Sequence, residues 1–162
     1  MSLKMPVIRQ AALISIIPQL LLLTLLIYAA SFAISDIINR TIAAVMVFYV
    51  ILISLRHIAW HHRKGIKQYK KRDFAAAIPF FMKSYDFFKK HSWLDKYRYI
   101  FLLSSSRLTY REMALLNAAF CFSQINQGKQ AREHYEQVLQ EFPESQLAKT
   151  ALNMMDAAKN TD

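Results

Sequence analysis

The chain of 162 residues contains two glycines, four prolines and one cysteine. Two glycines cannot build a Gly-rich phosphate loop, which needs several backbone positions free of side chains to cradle the anion. A single cysteine, Cys121, excludes an intramolecular disulfide framework and fits a reducing compartment. With 54% hydrophobic residues and so few helix breakers, the chain reads as ordered and mostly helical. Acid is scarce over most of its length. Residues 1–112 carry 17 Lys/Arg against 5 Asp/Glu, whereas residues 113–162 carry 4 against 6. The net charge of +10 therefore belongs to one part of the chain and needs a local cause. Catalytic constellations are also missing. Ser104–Ser106 have no nearby His–acid pair, Cys121 lies on an apolar helix face and reads as core, and His91 and His134 share no partner. The expectation is a protein that is not an enzyme and holds no cofactor or metal.

Charge is wholly absent from Gln10 to Ser35, a run of 26 residues. At about 1.5 Å per residue, roughly 20 helical residues cross a hydrocarbon core of about 30 Å. A buried helix of a soluble protein is seldom so long and so uniformly apolar. A cleaved signal peptide would have a shorter apolar core and a better cleavage site than "SFA" at Ser31–Ala33. A second uncharged run, Thr41–Leu55, is 15 residues long. It reaches spanning length when Ile37 and Ile38 join one end and Ile58, Ala59 and Trp60 the other, with Arg40 and Arg56 snorkelling to the interfaces. The pattern predicts a membrane anchor over residues 1–60, with spans at about 10–32 and 38–59 joined by a tight turn. Pro18 and Gln19 predict a mild kink with the Gln19 amide facing the partner helix. No ionisable residue lies deep in either run, which counts against transport.

The missing acid is explained by "RHIAWHHRKGIKQYKKRD", Arg56–Asp73. Arg56, Arg63, Lys64, Lys67, Lys70, Lys71 and Arg72 follow the second run, and Lys4 and Arg9 precede the first. The connecting loop has only Asp36 and Arg40. The bias of positive charge places both termini in the cytoplasm. The stretch becomes the cytoplasmic flank of a span, with Trp60 at the headgroup layer and the cations on anionic lipid. Base-reading or stacking features of a nucleic-acid module are lacking, so no nucleic acid is expected. His57 and His61 are four apart, but zinc wants three or four ligands and no carboxylate or thiol is near.

Beyond Gly65 the pattern changes to short amphipathic helices. Asp73 is a candidate N-cap for a helix whose apolar stripe is Ala77, Phe80, Phe81, Ser84, Tyr85 and Phe88. Thr109 and Glu112 form a capping-box pattern before Ala114, Leu115, Ala118, Ala119 and Phe122. A helix after Gly128 ends at Pro143, and a last helix uses Leu147, Ala151, Leu152 and Met155. An internal register links the first and second halves of this region. Gly65, Ala77, Phe81 and Ser84 align with Ala119, Ala131, Tyr135 and Val138. Small residues let paired helices approach, and the aromatic fills the gap between turns of the stack.

This register resembles the tetratricopeptide repeat, in which a helix pair of about 34 residues carries small residues at its crossings and an aromatic four after the central Ala. The resemblance covers roughly 60–159. It implies an all-α domain over 61–162 with two repeats, an insertion at about 91–110 and a C-terminal capping helix. Two departures stand out. The repeats are 54 residues apart, because "HSWLDKYRYIFLLSSSRLTY" is inserted, and there are two where about three are normally needed. The insertion is expected to lengthen the helix that begins at Asp73 or to add a turn over the core. The Lys and Asn set by which some family members bind C-terminal carboxylates is matched only at Asn117, with His62 and Ile66 at the neighbouring positions.

What this implies is protein binding: a membrane-anchored adaptor or assembly factor, its surface formed by Tyr69, Arg98, Arg107, Arg111, Asn117 and Gln124 and favouring an acidic protein segment. The competing class is a subunit of a homo-oligomeric transport or channel assembly, with Gln19, Thr24 and Tyr28 as its polar candidates. A bacterial inner membrane is the expected location.

Overall fold

In a computed structural model, residues 16–159 can be described. Among them are nine helices and no strand. Two compact units form: residues up to Ile58 with Lys96–Leu108, and Ala59–Asp95 with Thr109 onward. The N-terminal part of the first apolar run, with Lys4 and Arg9, lies outside the described residues.

The first unit contains α1 (Ile16–Ala30), α2 (Ile37–Ile58) and α6 (Arg98–Phe101). Asp36 starts α2 by accepting from the Asn39 amide at 2.8 Å, which satisfies one of the orphan N–H groups of a helix start. The 22 residues of α2 rise about 33 Å, and α2 is long and apolar enough to cross a membrane. The described α1 is an apolar helix of 15 residues. Their surfaces are hydrophobic outward: α1 has no buried residue, α2 buries only Ala44, and Leu21, Leu25, Ile38, Met46 and Val50 are exposed. α1 and α2 pack on each other, and α6 packs on α1.

The second unit is built from α3 (Trp60–Lys70), α4 (Phe74–Lys90), α5 (Ser92–Lys96, of which Lys96 belongs to the first unit), α7 (Tyr110–Gln124), α8 (Gly128–Glu141) and α9 (Gln146–Lys159). The long helices pack in chain order: α3 on α4, α4 on α7, α7 on α8 and α8 on α9. All eight residues of the 54-residue register are buried. The turns repeat the same register. Arg72 and Asn126, also 54 apart, have positive φ of 61° and 60°. Asp73 N–H donates to the Gln68 carbonyl at 3.1 Å and Gln127 N–H to that of Phe122 at 2.9 Å. Arg72 N–H meets Tyr69, and Asn126 N–H meets Ser123. Each pair of bonds is a Schellman cap, which satisfies carbonyls left over at a helix end. The αL position suits Asn but costs an Arg side chain about 1–2 kcal/mol.

Several local expectations meet the structure directly. Asp73 accepts from Ala76 N–H at 3.1 Å, and Thr109 from Glu112 N–H at 3.1 Å. Cys121 is buried and free, its thiol pushed up to about 12 by desolvation. In α9, Ala148 and Ala151 are buried and Leu152 and Met155 pack beside them, while Leu147 is half-buried.

Two expectations are corrected. The insertion does not lengthen the Asp73 helix: α4 stops at Lys90, the short α5 and α6 follow, and Lys96–Leu108 joins the first unit. The Gln19 amide does not turn to α2. Its Nε2 donates to the Leu103 carbonyl at 3.0 Å, because Leu103 has φ 46° and its carbonyl lies outside any helix.

Gly65 sets the spacing of α3 and α4. A Cβ there would stand 2.7 Å from Phe81 Cε1 and 2.8 Å from Cδ1, and the Phe81 ring is fully buried. Gly65→Ala gains about 1 kcal/mol of helix propensity but overpacks a closed site, at about 1–3 kcal/mol. Net destabilisation is expected in chemical denaturation of the full chain. Gly128→Ala, with nothing within 4 Å of the new Cβ, should be neutral or stabilising. Equal effects at both sites would refute the close-approach argument.

Candidate functional site

α3 divides its residues between two faces. His62 and Gly65 are buried, and Ile66 and Tyr69 pack beside them. Trp60, Arg63, Lys64, Lys67 and Lys70 recur at three- and four-residue spacing and are all exposed, with Lys71 and Arg72 exposed in the turn that follows. A helix presents such a spacing as one stripe. Lys64 Nζ lies 4.1 Å from the centre of the Trp60 ring, a cation–π contact worth about 0.5–1 kcal/mol when exposed. Trp60 in turn meets Phe80 edge to face at 6.5 Å. The stripe can draw an anionic surface at about 1 kcal/mol per cation near a charged membrane. Arg56, grouped with these cations by sequence, is exposed on α2 in the first unit.

A second stripe runs along α7. Asn117 and Gln124 are seven apart and share a face with Phe120 between them. Tyr69 leans on the Phe120 ring at 5.5 Å, and Phe74 meets both. Thus Tyr69, Asn117 and Gln124 come together as two amides beside an aromatic cluster. Asn117 is half-buried and Gln124 exposed. Amides at this spacing can hydrogen-bond an extended backbone while the rings supply apolar area.

Of the three arginines assigned to the same surface, Arg111 belongs to the second unit and Arg98 and Arg107 to the first. Arg98 serves as a clasp. Its guanidinium is buried and donates to the Ser106 carbonyl at 3.1 Å and the Arg107 carbonyl at 2.6 Å, closing a loop in the first unit. Arg107 is exposed in that loop. Arg111 is held by acids. Its Nε is 3.4 Å from Asp95 and its Nη1 3.7 Å from Glu141.

Sequence reading missed Asp95 and the network around it. Asp95 is fully buried and accepts from the Tyr110 amide at 2.7 Å and the Arg111 amide at 3.1 Å. It therefore caps α7 from 15 residues away, together with the local cap Thr109, and a carboxylate at a helix start also meets the favourable end of the macrodipole. Glu141 accepts from Tyr85 Oη, which also receives Lys89 Nζ and Gln137 Nε2, both at 2.9 Å. These bonds tie α4, α7 and α8 and place Arg111 in a structural role. An adjacent acid and base in "LDKYR" was the only hint of them.

His62 is core and not surface. Its ring meets Phe81 at 5.7 Å and Tyr110 at 5.4 Å, with Nδ1 3.4 Å from Ser84 Oγ. Burial lowers its pKa from 6.5 to about 4. His57 and His61 lie on different helices, on either side of Ala59. Among the described residues no three His, Cys, Asp or Glu stand together as metal ligands. Compared with protein families, curated proteins and solved structures, the chain matches none.

The lowered pKa of His62 has a pH consequence with a definite sign. Between 4 and 6.5 the unfolded chain binds the proton and the native chain does not. Stability is therefore complete above about 6.5 and declines toward 4, by about 1.4 kcal/mol per pH unit. Urea titrations of the detergent-solubilised chain should show that slope, and His62→Leu should flatten it. A slope unchanged by the substitution would assign the acid sensitivity to other groups.

Proposed function

We propose that the chain is a membrane-anchored adaptor or assembly factor. A hairpin of α1 and α2 holds it in a membrane, with both ends cytoplasmic, and a tetratricopeptide-like unit binds another protein at that face. The observation that carries this reading is the coincidence of three features at one interval. Buried small and aromatic residues, Schellman caps and positive-φ turn residues all repeat 54 residues apart, on helices that pack in chain order. Repeat units of this kind use a rigid apolar frame to hold polar side chains on one face. Here Asn117, Gln124 and Tyr69 offer such a face. The expected partner is a protein segment, with the α3 cations favouring an acidic one, and anionic lipid lies against the basic stripe. A bacterial inner membrane fits this reading.

The transport alternative draws less support. Thr24 Oγ1 donates to the Leu20 carbonyl of its own helix at 2.9 Å, Gln19 is bonded to Leu103, and Tyr28 meets Phe32 edge to face.

Crosslinking in cells, followed by mild detergent extraction and mass spectrometry, tests the proposal. A stoichiometric partner is expected. The pair Asn117→Ala and Gln124→Ala should weaken its capture about tenfold, or about 1.4 kcal/mol, without changing helix content or membrane retention. Changing Lys67, Lys70, Lys71 and Arg72 to Gln should reduce crosslinking to anionic lipid and leave the chain in the membrane. Only self-crosslinked species would refute the adaptor and favour the homo-oligomeric assembly.

A further inference from the structure

We propose that Lys96–Leu108 is a re-entrant element that lies against acyl chains beside α1. The inference rests on the hairpin anchor of the preceding reading and adds a third membrane-embedded piece to it.

Four observations converge on the segment. It belongs to the unit of α1 and α2, although the chain on both sides of it belongs to the other unit. Its hydrophobic side chains are turned outward: Tyr97, Ile100 and Phe101 are 47%, 59% and 47% exposed, while Leu102 and Leu103 are buried. Outward apolar side chains are a feature that the segment shares with α1 and α2, and lipid is the occupant that would cover all three alike. The segment is fastened to α1 by the Gln19–Leu103 bond, in the first described turn of that helix. Gln19 stands eleven residues before Ala30, or about 16 Å along the axis, near half the thickness of a hydrocarbon core.

The fourth observation is the bonding of the segment's own backbone. Irregular chain at membrane depth is tolerated only where its polar groups find partners in the protein. Arg98 spends its guanidinium on the Ser106 and Arg107 carbonyls. Ser104 N–H donates to the Arg98 carbonyl at 3.1 Å, and Ser106 N–H to Ser104 Oγ at 3.3 Å. Ser106 Oγ donates to the Leu108 carbonyl at 3.0 Å, and Gln19 supplies the Leu103 carbonyl. A solvated loop would leave these groups to water. Here the serine run, the buried arginine and the glutamine inside an apolar helix have one common purpose. Lys96 and Arg107, both exposed, flank the apolar stretch as interfacial cations do.

The test uses the full chain carrying Cys121→Ala, with one cysteine added for an NBD fluorophore at Ile100, at Val47 of α2 or at Met154 of α9. Each protein is reconstituted into phosphatidylcholine–phosphatidylglycerol vesicles. Quenching by bromine on the acyl chains is compared with quenching by aqueous iodide. The Ile100 and Val47 probes should be quenched by bromolipid and protected from iodide several-fold relative to Met154. Adding Gln19→Leu should move the Ile100 probe toward the iodide response of Met154 and leave Val47 unchanged. If Ile100 behaves as Met154 while Val47 remains in lipid, the re-entrant element is refuted and the anchor stands. If Val47 is also aqueous, the anchor falls and the inference with it. Protection of Ile100 from both quenchers would put protein there and also overturn the proposal. No effect of Gln19→Leu on Ile100 would refute the assigned fastening.

Discussion

The layered unit depends on a close approach between α3 and α4, where the ring of Phe81 occupies the volume a side chain at position 65 would need. Helices normally pack 8–10 Å apart according to the residues at their contact. Gly65 leaves room for the Phe81 ring, which is buried with Ala77 and with Ala118 and Cys121 of α7. The same solution appears at Ala119 and Ala131, with Tyr135 in place of Phe81. His62 shares the tight interior, which is why its ring favours the neutral form and meets Phe81 and Tyr110 edge to face.

Around that apolar frame the polar chemistry is divided by purpose. Buried and half-buried polar groups are engaged in holding the chain: Asp95 caps α7, Glu141 collects Tyr85 and Arg111, and Arg98 closes a loop. A buried carboxylate without such partners would carry a penalty of several kcal/mol, so these residues have little freedom to serve a ligand. Two groups of surface side chains stand apart, the cation stripe of α3 and the amides of α7. One suits a charged planar surface and the other an extended backbone, and this division underlies the adaptor reading.

The first unit obeys the opposite rule. Its large side chains face outward, and several of its polar side chains bond to its own backbone. Asp36 caps α2, Thr24 bonds within its helix, and Gln19 meets a carbonyl. That inversion is the arrangement expected where the solvent itself is apolar.

Much of the secondary structure was legible because it is decided locally. Run length and hydropathy marked α2, Asp73 and Thr109 announced two helix starts, and Pro143 followed one helix end. The register of Gly65, Ala77, Phe81 and Ser84 with its counterpart identified the buried positions, since volume at a helix crossing is a property of residue type. Tertiary structure alone decided where the inserted segment goes, which side Gln19 faces, and what Arg98, Arg111 and Asp95 do. Those outcomes depend on partners 84, 8 to 9, and 15 or more residues away. A charged or amide side chain has no preferred neighbour until packing has placed a complementary group within hydrogen-bonding reach. Its type limits what it can bond, and only the folded chain determines which bond is made.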